Sequence, residues 1–378
     1  MQCLTILTLK ILLMIVYLSH WDWNLYKSRK DIISNINDKS FVAICPEGEY
    51  SENLLKIYNE YLNWNFKREK LFDIKGIKNL ISILNKLDEG SIVHSFTLKT
   101  GIIFSIANLF AKNKIIGILS INGLGYLFSK NTKAKILKSI LKLFISKLFN
   151  KGFKTIIFQN LDDQKVFTKY SRFKGKTNLI EGSGIETKNF IKKENYSPNN
   201  LKVIFVSRFL RDKGVENYLE LASKNNNPNI YFYIAGDIDL GNPNSLTKLD
   251  LKKIKSNNNV EYVGNIDVEK ELHNYDISVI MSKYEGFSRI LLESLYVGLF
   301  CLSNDLPGTQ FLNTFKNGEI IKDNNKNEFL EIINNFDNYN YTKSNAEENR
   351  GLIKNKFSTI EISKKYNEIY NYIKTNEK

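Results

Sequence analysis

Cysteine is scarce in this sequence: Cys3, Cys45 and Cys301 are the only three in 378 residues. An odd, widely spaced set gives neither a disulfide framework nor a thiolate metal site, and it fits a reducing cytoplasm. Acidic residues are missing from one long stretch. None occurs between Glu89 and Asp162, a run that carries eleven lysines. Most of the net charge of +14 therefore sits on the first half, where it would attract an anionic surface or ligand. Part of that charge reflects a composition rich in lysine, asparagine and isoleucine, with only five prolines. No Gly-x-Gly-x-x-Gly opens a helix after a strand, since Gly123-Leu-Gly125 lacks the third glycine, and this disfavours a nicotinamide dehydrogenase. The basic pI of about 9.3 comes without a nucleic-acid recognition motif, so nucleic acid is not expected as a partner. A long apolar span is also lacking. Leu4 to Leu18 is short of the ~20 residues a membrane helix needs, and it reads as a buried first strand, Lys10–Tyr17, with a signal or anchor as the alternative.

What is present is 43% hydrophobic residues, enough for two cores, arranged in alternating β-type and amphipathic runs. Strands are expected at 11–17, 41–45, 91–95, 115–120 and 154–158, then at 201–206, 230–235, 260–263, 277–281 and 300–303. Helical patterns lie between them, at 77–87, 101–110, 134–149, 214–222 and 289–297. Such alternation implies parallel sheets covered on both faces. The fold class is therefore α/β, with two doubly wound Rossmann-like domains. The expected division is 1–183 and 184–354, followed by a helical tail, 355–378, that returns to the first domain.

Ligands of doubly wound sheets bind at the carboxyl ends of the strands. In the second half, Ser207-Arg-Phe-Leu-Arg-Asp-Lys-Gly214 follows a strand, and Arg208 and Lys213 beside a helix start suit a diphosphate. Tyr284-Glu-Gly-Phe-Ser-Arg-Ile-Leu-Leu-Glu-Ser294 places Glu285 before a helix and Glu293 inside it. Gly286 allows a tight turn, and the amides of Ser288, Arg289 and Ile290 are expected to be free for an anion. Either carboxylate has a plainer reading, Glu285 as a helix-dipole partner and Glu293 as a surface acid. His94 is expected at the cleft because it ends a strand, a satisfied core position being the alternative. His20 stands with Trp21 and Trp23 at the rim, and His273 is structural.

Together with Ala235-Gly-Asp237, Val263-Gly264 and the Glu-x7-Glu spacing, these segments resemble the retaining glycosyltransferases of family 4, which have the GT-B fold. Val93-His-Ser-Phe-Thr-Leu-Lys99, Asn122-Gly-Leu-Gly-Tyr126, Phe158-Gln-Asn-Leu-Asp-Asp-Gln164 and Gly182-Ser-Gly-Ile185 resemble a narrower branch, active in bacterial surface-polysaccharide assembly, capsule and lipopolysaccharide included. The resemblance implies transfer of a hexose or N-acetylhexosamine from a nucleotide-diphosphate donor, UDP expected, to an undecaprenyl-diphosphate-linked or other glycan acceptor. It implies that Arg208 and Lys213 hold the diphosphate, with Glu285 facing the donor sugar. The donor site would further comprise Gly264 near the base, Gly286, Phe287, Ser288, Arg289, Ile290, and Glu293 on the ribose. His94, Asn122 and Gly123 would face the acceptor, although many members have histidine where this chain has Asn122. No cofactor and no metal are expected, since two cations stand in for a divalent ion and no Asp-x-Asp motif is read in the chain; the adjacent Asp162 and Asp163 lie in the other domain. A basic amphipathic helix over 129–154, with Lys135, Lys138 and Lys142, suggests peripheral contact with the anionic inner face of the cytoplasmic membrane. A sugar-nucleotide epimerase of the same fold and a non-catalytic nucleotide-sugar-binding protein remain the alternatives.

Overall fold

A computed structural model of the chain describes residues 13–70, 73–124, 146–322, 325–339 and 341–376. Seven parallel strands form the first sheet: β1 (Leu13–Leu18), β2 (Lys39–Cys45), β3 (Glu60–Asn63), β4 (Ile92–Phe96), β5 (Ile116–Ile121), β6 (Thr155–Phe158) and β7 (Lys176–Leu179), in the order β3-β2-β1-β4-β5-β6-β7. Six parallel strands form the second: β8 (Leu201–Val206), β9 (Ile230–Ala235), β10 (Glu261–Gly264), β11 (Ile277–Ile280), β12 (Phe300–Asn304) and β13 (Gly318–Ile321), in the order β10-β9-β8-β11-β12-β13. The central strands are continuous apolar runs because helices cover both faces, as parallel sheets require. Three strands absent from the sequence reading, β3, β7 and β13, lie at sheet edges, where half-exposed residues leave no apolar run to detect.

Each sheet reverses its strand order once, between β1 and β4 in the first and between β8 and β11 in the second. A crevice opens at such a reversal, because successive connections leave the sheet in opposite directions. The helices that follow the four strands are α1 (Asp22–Ser34), α2 (Leu98–Phe110), α3 (Val215–Ser223) and α4 (Arg289–Val297). The chain passes between domains twice, side by side. Ile185 donates its amide to Phe357 O at 3.1 Å, and Thr359 donates to Ile185 O at the same distance. The last helix, α5 (Thr359–Asn376), then lies on the first sheet, with Ile362, Tyr366, Tyr370 and Ile373 buried against Ile15, Tyr17 and Ile32. Most of the basic helical pattern, including Lys135, Lys138 and Lys142, falls outside the described residues; Leu148 and Phe149, at its end, are buried in the first core. Among the described residues, no helix is long and apolar enough to cross a membrane.

The docking of α5 explains His94 and corrects its expected place in the cleft. The residue is fully buried, at 0% exposure. Its Nδ1 lies 2.8 Å from Tyr370 Oη and its Nε2 lies 2.8 Å from Ser120 Oγ, while Tyr370 Oη is also 2.8 Å from Tyr17 Oη. A strand end reads as cleft from sequence, but a terminal helix more than 270 residues later closes over it. Burial, followed by the charge of Arg29, holds the His94 ring well below the usual histidine range, so it is neutral in the fold. His94→Ala is expected to cost about 3 kcal/mol of stability, since it opens a cavity and takes a partner from the buried hydroxyls of Ser120 and Tyr370. It should leave acceptor KM unchanged in the folded fraction, measured by denaturant unfolding beside steady-state kinetics. Native stability with a raised acceptor KM would restore the cleft assignment.

Candidate functional site

The loops at the two reversals face each other. In the second domain, β8 runs into 207–213, and α3 starts after Gly214 in the left-handed region, φ 84°. A Cβ there would stand 2.1 Å from Met281 O, so only glycine lets the loop close onto the end of β11. That closure brings Lys213 to Glu285: Nζ lies 2.6 Å from Oε1, and the same oxygen accepts from Ser282 Oγ at 2.8 Å. Arg208 pairs with Asp239 at 2.7 Å, and Asp239 Oδ2 also receives Arg68 of the first domain at 2.8 Å. Burial opposes the charge on Asp239, but the two guanidinium groups prevail and hold its carboxyl below the usual range.

Asp237-Ile238-Asp239 is thus an Asp-x-Asp pattern that bears on the expectation of no metal, and the sequence reading overlooked it. Asp239 is committed to two arginines, while Asp237 is exposed and accepts from the Ile238 amide. Among the described residues, no group of three His, Cys, Asp or Glu side chains gathers as a metal cluster would. Asp163 accepts from the Leu124 amide and from Asn160 Nδ2, so it serves the local loop.

The Glu-x7-Glu segment is arranged around α4. Glu293 is buried; burial raises its pKa, and the Arg289 charge opposes that rise. Arg289 Nε binds Glu293 Oε1 at 2.6 Å, while its NH1 reaches across to Lys27 O at 3.0 Å. The expectation that the Ser288 amide is free is corrected: it donates to Gly308 O at 3.1 Å, because Ser288 is the residue before the helix. Arg289 and Ile290 occupy the first two helical positions, where amides lack intrahelical acceptors. The Phe287 ring stacks on Phe311 at 4.5 Å and packs against Phe357 beside the interdomain crossing. Gly264, φ 73°, has nothing within 4 Å of where a Cβ would stand, which leaves its face open.

Gly286 is where the domains touch. A Cβ on it would lie 1.5 Å from Asn122 O and 2.8 Å from Gly123 Cα. Gly286 O accepts from Asn160 Nδ2 at 2.7 Å. Asn122 and Gly123 are therefore brought to the seam, with Asn122 Oδ1 3.5 Å from Arg29 NH2.

The first-domain wall contains the run expected at the rim, His20 with Trp21 and Trp23, beside Arg68 and Lys99, whose place sequence reasoning missed. His20 sits against Thr100, Nδ1 to Oγ1 2.9 Å, at the end of β1. Trp21 and Trp23 stack at 4.8 Å, and Arg68 lies 3.7 Å over the Trp21 ring. Lys99 Nζ donates to Arg68 O at 2.7 Å. Only the His20–Trp21–Trp23 run carried a signal; Arg68 stands in a loop without a motif. Burial, then Lys99, Arg68 and Arg208, pushes the His20 ring down to about 3, so it is neutral near pH 7.

That depression has a definite sign. The unfolded ring binds a proton below its ordinary 6.5 and the folded ring does not until about 3. The stability it contributes is complete above the higher value and is lost as pH falls toward the lower one. Between pH 7 and pH 5, wild-type protein should lose about 2 kcal/mol more stability than His20→Gln, measured by urea unfolding. Equal losses would mean that the ring is not desolvated.

Comparison with known proteins agrees with this arrangement. Residues 186–355, essentially the whole second domain, match the family described as glycosyl transferases group 1. The UDP-Gal:α-D-GlcNAc-diphosphoundecaprenol α-1,3-galactosyltransferase of Escherichia coli is 24% identical over 319 residues, covering 79% of this chain and 80% of the relative. Among solved structures, sucrose-phosphate synthase from Thermosynechococcus elongatus superposes with a TM-score of 0.76 at 14% identity, covering 96% of this chain and 99% of the other. Anabaena HepE, in complex with UDP and glucose, gives 0.73 at 16% identity, covering 95% and 100%. These structural likenesses carry the fold, and the family match indicates the activity: the chain is a glycosyltransferase of the GT-B fold whose second domain matches the model of the glycosyl transferases group 1.

Proposed function

We propose that the enzyme transfers a hexose or N-acetylhexosamine from a UDP-sugar to a lipid-diphosphate-linked sugar, with retention at the anomeric carbon, in the assembly of a surface polysaccharide such as capsule or lipopolysaccharide. The observation that carries this reading is the pairing of Lys213 with Glu285 and of Arg208 with Asp239 at the reversal of the second sheet. Two cations stand where a donor diphosphate fits, each held by a carboxylate until the donor arrives. The Escherichia coli relative, named for a UDP-galactose donor and a diphosphoundecaprenol-linked acceptor, supports the same class of substrates. UDP and glucose in HepE support the nucleotide.

In this reading, Arg208 and Lys213 stabilise the negative charge that grows on the leaving diphosphate, where preorganised cations have most effect. Glu285, released by Lys213, faces the donor sugar hydroxyls, and the free oxygen of Glu293 takes a ribose hydroxyl. The open face of Gly264 admits the base, while the amides of Arg289 and Ile290 add partial positive charge. Attack by the acceptor comes from the leaving-group face, with no fixed protein nucleophile. The seam at Gly286 brings acceptor and donor together and limits hydrolysis. No divalent ion is required, because the two side chains supply the positive charge. The enzyme works at the inner face of the cytoplasmic membrane, to whose anionic lipid the positive charge accumulated between Glu89 and Asp162 is attracted.

Arg208→Ala and Lys213→Ala should each lower transfer by about a hundredfold with the fold intact, measured with UDP-sugars and a synthetic GlcNAc-diphosphate-lipid acceptor. EDTA should leave wild-type turnover nearly unchanged. Near-normal turnover in both variants, or a loss with EDTA that magnesium or manganese restores, would overturn the assignment and turn attention to Asp237 and Asp239.

A further inference from the structure

The cleft holds more positive charge than the donor accounts for. Lys213 is balanced by Glu285, and Arg208 shares Asp239 with Arg68. Lys99 has no carboxylate within ion-pair distance among the described residues; its ammonium donates to a backbone carbonyl, Arg68 O, and the counter-charge that acts on it, Glu69, acts through space. Lys99 is half-buried against Phe66, 5.2 Å from the ring centroid. Burial and then the Arg68 charge lower its pKa, so the site as it stands disfavours the cation that it holds. His20 adds no charge, being neutral, and its Nε2 has no hydrogen-bond partner among the described residues.

The surrounding geometry is strained and rigid. Thr97 begins α2 at φ 78°, in the left-handed region that a β-branched residue enters only when its surroundings compel it. Its Oγ1 lies 3.2 Å from Thr100 Oγ1 and 3.4 Å from His20 Nδ1, so three polar side chains are pinned together beside Lys99. The Arg68 guanidinium is laid flat on Trp21 at 3.7 Å and anchored at one end by Asp239, which leaves other N–H groups of its fork to bind. All of these residues follow the carboxyl ends of β1 and β4 or lie in the neighbouring loop, and Arg68 shares both Asp239 and the Trp21 ring with the donor cation Arg208.

From this arrangement we propose that Lys99 and Arg68, with His20 and Thr97 beside them, form a second anion site that binds the diphosphate of the acceptor. The inference rests on the acceptor class proposed above and adds the residues that recognise it. A lipid-diphosphate sugar presents its charge one sugar ring from the attacking hydroxyl. Cations on the first-domain wall, one carboxylate removed from Arg208, are placed to hold that charge while the sugar faces the donor. The site makes the diphosphate a specificity determinant, because a neutral glycoside of the same sugar brings Lys99 no ion-pair partner.

The test compares two acceptors, GlcNAc-diphosphate-alkyl and the GlcNAc alkyl glycoside of the same chain length. Lys99→Met, which keeps the packing on Phe66, and Arg68→Ala should each raise KM for the diphosphate acceptor about tenfold or more, as for loss of a charged hydrogen bond. Lys99→Met should leave KM for the UDP-sugar and for the neutral glycoside unchanged, whereas Arg68→Ala, which also frees Asp239 for Arg208, is judged by the ratio of its effects on the two acceptors. Equal effects of Lys99→Met on both acceptors, or an effect on the donor, would overturn the proposal, and equal effects of Arg68→Ala on both acceptors would show that Arg68 merely latches the domains through Asp239 and would overturn its part in the site. A second measurement is independent of the acceptor class: calorimetry of inorganic pyrophosphate with UDP-saturated protein. Binding that Lys99→Met abolishes supports the site even if no diphosphate acceptor is used, in which case only the proposed acceptor class falls. No binding to the UDP-saturated wild type, or binding unaffected by Lys99→Met, refutes the site itself.

Discussion

The cleft is organised by opposed charge. Three carboxylates, Glu285, Asp239 and Glu293, each stand against a cation, Lys213, Arg208 with Arg68, and Arg289. Without those partners the cations at the reversal of the second sheet would repel one another in a half-buried space. With them, the side chains are held extended and aimed before any substrate binds, so less conformational freedom is lost on binding. In the proposed function a diphosphate competes with Glu285 and Asp239 for Lys213 and Arg208, and Glu285, once released, stands beside the sugar that the diphosphate carries. One set of ion pairs would then both hold the cations and prepare Glu285 for the substrate.

The same pairs join the domains. Arg68 to Asp239 and Arg289 to Lys27 O cross the cleft, and the backbone at Gly286 lies on Asn122 and Gly123. The interdomain chain is doubled at Ile185 and Ser358, which form a parallel β-bridge, so two adjacent segments rather than one connect the domains. A substrate that draws Arg208 away from Asp239 therefore alters a contact on which the relative position of the domains depends.

Much of the architecture could be read from the sequence because both sheets are parallel and buried. Apolar runs such as 201–206 and 230–235 coincide with β8 and β9. The edge strands β3 and β7 were invisible because half of each faces water. In the site, Arg208, Lys213, Glu285 and Glu293 were legible because they lie in one contiguous domain at motif spacing. His94 was misplaced because its environment is completed by Tyr370, whose position no local pattern reveals. Arg68, Lys99 and Asp239 were missed for a related reason: their meaning lies in an approach across the cleft, and the Asp-x-Asp spacing at Asp239 suggests a metal where the fold supplies two arginines.

The central claim is that two cations, held by carboxylates in the empty enzyme, receive the donor diphosphate. A crystal structure with UDP bound tests it most directly. The account predicts phosphate oxygens within hydrogen-bond distance of Lys213 Nζ and the Arg208 guanidinium, with the Lys213–Glu285 and Arg208–Asp239 pairs lengthened or broken and no metal ion bridging the phosphates. UDP phosphates bound elsewhere with both pairs intact, or bridged by a divalent ion on Asp237 and Asp239, would contradict it.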